Sequence, residues 1–177
     1  MTEPHSGSQI ELLPATPSGP EVEALLDNIR STFNVGAMFR TADGAGIRRL
    51  HLCGITSRPD NPKVASRIAK TALGAEQTVL WQAHNNILDA AQDLKAGGMR
   101  LWALEGGPRA ESLFSSAGDL PGAPILLVVG NELSGVDPEV LDLCERVVAI
   151  PMQGYKRSLN VAIAFGVAAY FLRYGGK

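Results

Sequence analysis

The sequence predicts an α/β domain built on a parallel sheet with helices on both faces. Three observations carry that prediction. Short apolar runs alternate with longer segments of helical periodicity along most of the chain. Several runs, Ile125 to Val129 among them, are apolar at every position, as expected of strands covered from both sides. Glycine-rich loops follow three of the runs, where strand-to-helix turns would fall.

Taken in order, residues 1 to 20 hold four prolines with Ser, Gly and Thr and no periodicity, which predicts a disordered tail ahead of a single domain over 21–177. The strands are expected at Ala24 to Ile29, Leu50 to Cys53, Val79 to Trp81, Leu101 to Leu104, Ile125 to Val129 and Val147 to Ile150. Helices are expected at Asn34 to Ala45, Pro62 to Leu73, Asn86 to Ala96, Pro138 to Glu145 and Ser158 to Tyr174. Asn34 is a candidate N-cap for the first, Asp137 before Pro138 for the fourth, and Ser158 or Asn160 for the last. The last helix is apolar nearly all round, so it should be buried, with part of its surface against a second subunit.

A chain of 177 residues with 45% hydrophobic and 19% charged residues fits one compact domain. Cys53 and Cys144 lie in apolar stretches without metal or redox spacing, which predicts two buried thiols in a reducing compartment. No secretory leader opens the sequence, and the run Val161 to Leu172 falls short of the roughly 20 residues of a membrane span, so a cytoplasmic, membrane-free protein is expected. The net charge of −2 argues against a protein that grips nucleic acid by bulk charge. That average conceals an asymmetry. Arg30, Arg40, Arg48, Arg49, Arg58, Lys63, Arg67 and Lys70 face only Asp43 and Asp60 in the same segment, giving it +6 and the remainder −8. Such a segment suits a polyanion, or is simply a solvated face.

In an open α/β sheet, ligands bind beyond the carboxyl ends of the strands. The loops there are Leu104-Glu105-Gly106-Gly107-Pro108, Gly130-Asn131-Glu132-Leu133-Ser134-Gly135 and Pro151-Met152-Gln153-Gly154. Their glycines would let backbone approach an adenosine-like ligand, although they also suit tight turns. Neither G-x-G-x-x-G nor a P-loop is present. On the first helix Val35, Met38, Phe39 and Ala42 form the apolar face and leave Arg40 off it, free for chemistry or for an Arg40–Asp43 surface pair. His5 lies in the tail, His51 in an apolar strand and His84 near a loop, so histidine-based hydrolysis is poorly supported and no metal site is expected.

Three segments together resemble the SpoU/TrmH ribose methyltransferases of the SPOUT superfamily. They are Asn28 to Asp43 with its N-V-G-x-x-F-R-T-A-D core, Val128 to Met152, and Ser158 to Ala164. The resemblance spans about residues 22 to 174 and implies a C-terminal deep trefoil knot, which patterning alone cannot reveal. It further implies an S-adenosylmethionine (AdoMet) site made by Leu104, Glu105, Gly106, Gly130, Asn131, Ile150, Met152 and Leu159, with S-adenosylhomocysteine as product. Arg40 matches the family's catalytic arginine, Asn34 a nearby asparagine, and Glu132, Ser158 and Asn160 the other polar positions of the reaction centre. The implied reaction is methyl transfer to an RNA ribose 2′-hydroxyl in a homodimer.

RNA, with transfer RNA favoured over ribosomal RNA, is expected to meet Arg30, Arg40, Arg58, Lys63, Arg67 and Lys70. One departure is Leu133, where many relatives carry a smaller residue; another is a tail too short to replace the RNA-holding N-terminal domain of several relatives. Three alternatives stand beside this reading: base methylation, a knotted RNA-binding protein without catalysis, and a nucleotide-binding oxidoreductase. The Ser158-Leu159-Asn160 motif, the intact polar positions and the missing glycine fingerprint argue against each in turn.

Overall fold

The computed structural model describes residues 16–176. Seven strands form one sheet in the order β3-β2-β1-β6-β4-β7-β5, and every pairing is parallel. The strands are β1 (Val22–Asp27), β2 (Arg49–Cys53), β3 (Leu80–His84), β4 (Arg100–Leu104), β5 (Glu111–Ser112), β6 (Ile125–Val129) and β7 (Arg146–Ala149). The helices are α1 (Thr32–Ala45), α2 (Ala65–Ala72), α3 (Ala75–Thr78), α4 (Ile87–Ala96), α5 (Pro138–Leu143) and α6 (Val161–Tyr174).

Alternate strand residues feed two cores, which is why both faces of the central strands β1 and β6 are buried. Ala24 and Leu26 of β1 and Leu127 of β6 join Phe39 of α1, Ile68 of α2 and Phe165 of α6 on one side. Leu25, Leu126 and Val128 join Ala91 of α4 and Val140 of α5 on the other. The handedness of crossovers explains the split. Stepping outward from β1 to β2 to β3 places α1 and α2 on one face, and the return toward β4 and β7 places α4 and α5 on the opposite one.

β7 lies between β4 and β5, with Leu104 and Glu111 both level with Val148. The link 105–110 therefore passes across the C-terminal end of β7, where the chain departs toward α6. The six expected strands and five expected helices are present, β6 with the expected bounds and the others with shifted ends. Asn28 takes a left-handed φ of 51° and turns the chain off the sheet, so β1 ends at Asp27 rather than Ile29. The helix expected from Pro62 starts at Ala65, after a turn in which Asn61 O accepts from Val64 N and Ala65 N. β5 and α3 carried no pattern, being only two and four residues long.

Asn34 is not the cap of α1. Ser31 occupies that position and its hydroxyl accepts from Asn34 N at 3.3 Å, which releases the Asn34 side chain. The other caps fall where expected, Asp137 accepting from Glu139 N and Asn160 from Ala162 N and Ile163 N. Most of the expected tail lies outside the described residues. Its last part is tied down: Ser18 Oγ donates to Gly176 O at 2.9 Å, Gly19 N to Arg173 O at 2.9 Å, and Arg173 donates to Pro20 O at 2.6 Å.

Candidate active site

The loops after β4, β6 and β7, with the first turn of α6, enclose a cavity of about 520 Å³. All eight residues expected around the cofactor line it: Leu104, Glu105, Gly106, Gly130, Asn131, Ile150, Met152 and Leu159. Glu132, Ser158 and Asn160 line it too. Its walls combine apolar side chains with exposed loop backbone, the lining an adenosine needs.

The β4 and β6 loops are fixed to each other. Glu105 accepts from Gly106 N at 3.1 Å and from Val136 N at 2.9 Å, so one carboxylate bridges both. Gly130 is compulsory, because a β-carbon there would sit 2.3 Å from the Gly135 carbonyl carbon and from Val136 N. Asn131 Oδ1 accepts from Leu133 N at 2.8 Å and its Nδ2 donates to Asn28 O at 2.8 Å, joining the loop to the end of β1. Leu133 stands 79% exposed at the cavity edge, so its bulk projects out of a loop whose turn is set by Asn131.

A chain of polar groups runs along the rim. Asn160 Oδ1 is committed to capping α6, which leaves its Nδ2 to donate to Asn34 Oδ1 at 3.2 Å. Asn34 then directs its own Nδ2 at Glu132 Oε1, 3.3 Å away, and Glu132 Oε2 accepts from Arg30 N at 3.3 Å. The order is dictated by chemistry, since a carboxylate only accepts. Three separate motifs are thereby brought together: the start of α1, the β6 loop and the start of α6.

Arg40 stands on the exposed face of α1 and is not among the residues lining the cavity. Its alternative partner is engaged elsewhere, Asp43 Oδ1 accepting from Thr78 Oγ1 at 3.1 Å. Arg30, Lys63, Arg67 and Lys70 are exposed and form no ion pair among the described residues, whereas Arg58 pairs with Asp60 at 3.4 Å. Arg157 also lines the cavity, a position the sequence did not single out because it is one basic residue in a loop outside the charged segment.

Beneath the site, Asp27 is 5% exposed and accepts from Asn28 Nδ2 at 2.7 Å. Burial, then the charge of Asp137, raises its carboxyl above the ordinary value. The Cys53 thiol is pushed up to about 12 by burial and by Asp27, so it is inert. Cys144 is only part-buried, not fully buried as expected, yet its thiol is also raised, to about 11, chiefly by burial. His51 is fully buried and satisfied, with Nε2 2.7 Å from Glu23 Oε2 and Nδ1 2.9 Å from His84 Nε2. No cluster of metal-ligating side chains occurs among the described residues, and no helix there is long and apolar enough to cross a membrane.

Fold and cavity together define an α/β domain with a pocket among the loops beyond the carboxyl ends of β4, β6 and β7, where ligands bind in open α/β sheets. The chain belongs to the SpoU rRNA Methylase family, whose model matches residues 21–170. It is 32% identical over 152 residues to the 23S rRNA (guanosine-2'-O-)-methyltransferase RlmB of Ralstonia nicotianae, covering 86% of this chain and 58% of that protein. The AdoMet-bound rRNA methyltransferase of Sinorhizobium meliloti superposes with a TM-score of 0.76 at 26% identity, over 88% of this chain and 57% of that one. A structure described as giving insight into 2-OH methylation of C/U34 on tRNA matches with a TM-score of 0.68 and 29% identity, over 86% of this chain and 94% of its own. The chain spans 58% to 66% of the length of the first curated relatives it matches.

Proposed function

We propose that the chain is an AdoMet-dependent RNA methyltransferase that acts on a ribose 2′-hydroxyl as a cytoplasmic homodimer. One observation carries the reading: all eight expected cofactor residues line a single cavity whose rim is the Glu132–Asn34–Asn160 chain. The residues present suit the cofactor. Leu104, Ile150, Met152 and Leu159 offer apolar contact for an adenine ring, while apart from its chain neighbours no atom lies within 4 Å of a β-carbon placed on Gly106, which leaves space there for a ligand. When bound, AdoMet supplies the electrophilic methyl group.

The protein's own work is to align the hydroxyl and help its proton leave. Glu132 is held by Asn34 and by Arg30 N, with its carboxylate at the cavity wall, so it can orient a ribose by accepting from a hydroxyl. Arg40 positions and activates the attacking oxygen. Because Arg40 projects from the exposed face of α1, outside this subunit's own cavity, it serves the site of the partner subunit. The surface beside it supports a dimer: α6 exposes Ile163 (57%) and Tyr170 (49%), with Tyr170 stacked on Tyr174 at 5.9 Å. The proposed knot forms where the segment after β7 passes the link 105–110.

Transfer RNA is the preferred substrate, held in part by Arg30, Arg58, Lys63, Arg67 and Lys70. The tRNA-related structure supports this choice, because the present chain covers 94% of that one. Ribosomal RNA is the alternative, in line with the relatives that act on 23S rRNA. The test is transfer of labelled methyl from AdoMet to bulk transfer RNA and, separately, to ribosomal RNA from cells lacking the protein, followed by nuclease digestion. Label in a 2′-O-methylated nucleoside, absent with Arg40→Ala, is the expected result. AdoMet binding without transfer to either pool would overturn the catalytic reading.

A further inference from the structure

A second depression, about 860 Å³, lies beside the cavity and is walled by Met152, Gly154, Tyr155, Lys156 and Arg157. Met152 and Arg157 line both spaces, so the two adjoin. Tyr155 is 97% exposed, the most exposed large apolar side chain among the described residues. Lys156 and Arg157 are exposed as well, and neither joins an ion pair among the described residues. No carboxylate lines the depression. A flat aromatic face and two unneutralised cations, without an acid between them, suit a ligand that is both planar and anionic.

We infer that Tyr155, Lys156 and Arg157 form a subsite for the RNA nucleotide next to the one being methylated, its base stacked on Tyr155 and its phosphate against Lys156 and Arg157. This rests on the RNA reading above and extends it to residues outside the basic segment. Arg157 links the two spaces: a phosphate held there connects a ribose at the Glu132–Asn160 rim to a base on Tyr155. Stacking on a tyrosine tolerates any base, so the subsite contributes affinity and register rather than sequence choice.

The experiment is filter binding of unmodified transfer RNA and ribosomal RNA transcripts, without AdoMet, to wild type, Tyr155→Ala, Tyr155→Trp and Lys156→Gln between about 50 and 200 mM salt. Tyr155→Ala should weaken binding roughly five- to hundredfold at an unchanged salt slope, and Tyr155→Trp should restore it. Lys156→Gln should lower the slope of log K against log salt by about 0.7, the signature of one lost phosphate contact on a single strand. Circular dichroism of each variant checks the fold. Variants that bind within twofold of wild type at the same slope overturn the subsite alone. A wild-type protein that binds neither transcript overturns the RNA reading, and the subsite with it.

Discussion

The two sides of the cavity are built differently. On one side the β4 and β6 loops are locked by the Glu105 carboxylate, the Asn131 turn and the close approach of Gly130 to Val136. On the other, residues 151–159 cross from β7 to α6 without a backbone hydrogen bond to the rest of the described chain. The difference teaches what each side is for. A pre-formed wall lowers the ordering cost for a small ligand that fits the same way every time. An open wall with exposed Tyr155, Lys156 and Arg157 suits a segment of a large polymer that must enter and leave.

The sharpest way to break the comparison is Gly130→Ala. The new methyl group meets backbone at 2.3 Å, and backbone cannot swing aside as a side-chain tip can, so the loop must move. Overpacking of this kind costs about 1–3 kcal/mol, and the shifted Asn131 and Glu132 should weaken AdoMet at least tenfold. Urea unfolding and calorimetric titration measure the two effects. AdoMet affinity within twofold of wild type would show that the wall is not rigid.

Glu105→Gln is the milder test of the same wall. The amide keeps one acceptor but places an NH₂ against Gly106 N or Val136 N, one of which loses its partner. A hydrogen bond to a charged acceptor is worth about 1.5–3 kcal/mol, and the lower end applies to this part-buried group. Chemical denaturation should show that loss with little change in the m-value.

These two walls were unequally legible in the sequence. The apolar runs located the strands because a two-sided sheet leaves an unbroken signature, as Ile125 to Val129 shows with all five residues buried. The cavity followed from the rule that loops beyond strand ends hold ligands, and from motif resemblance. What stayed hidden depends on tertiary geometry. Asn34 looked like a cap until Ser31 took that position, and only then could it bridge Glu132 and Asn160. Arg157 gave no signal because nothing in a single basic residue tells a cavity wall from a solvated loop. β5 is two residues at the sheet edge, held by pairing with Val148 and Ala149 rather than by any pattern of its own.

Acid should loosen both walls together, since both stand on the same sheet. His51 is held below its ordinary value by burial, partly opposed by its hydrogen bond to Glu23, and His84 is lowered by burial and then by His51. Near pH 6.5 the unfolded chain takes up protons on these rings while the folded one resists. Stability is therefore fully present above that pH and falls as the pH drops toward the lowered folded values, by at most about 1.4 kcal/mol per pH unit for each ring. Asp27 acts with the opposite sign. Its raised carboxyl contributes stability at low pH that is lost as the pH rises through its folded value, so Asp27→Asn should steepen the acid decline. Urea midpoints between about pH 8 and 4, wild type against Asp27→Asn, measure both slopes, the Asp27 one starting from its ordinary value of 3.8; a flat profile would remove the histidine contribution.

The smallest effect belongs to Gly154→Ala, the same chemical change as Gly130→Ala made on the open wall. A β-carbon at Gly154 meets no atom within 4 Å, and its φ lies outside the left-handed range. Nothing in the folded state resists the methyl group, while the unfolded chain loses conformational freedom, so stability should rise by about 0.4–1 kcal/mol. AdoMet affinity should stay within about twofold, because the open side contributes little rigidity to that ligand. If Gly154→Ala instead destabilises the protein as Gly130→Ala does, residues 151–159 are packed against something in solution. The second subunit of the proposed homodimer is then the first surface to examine, and a dimer dissociation constant raised by the same substitution would identify it.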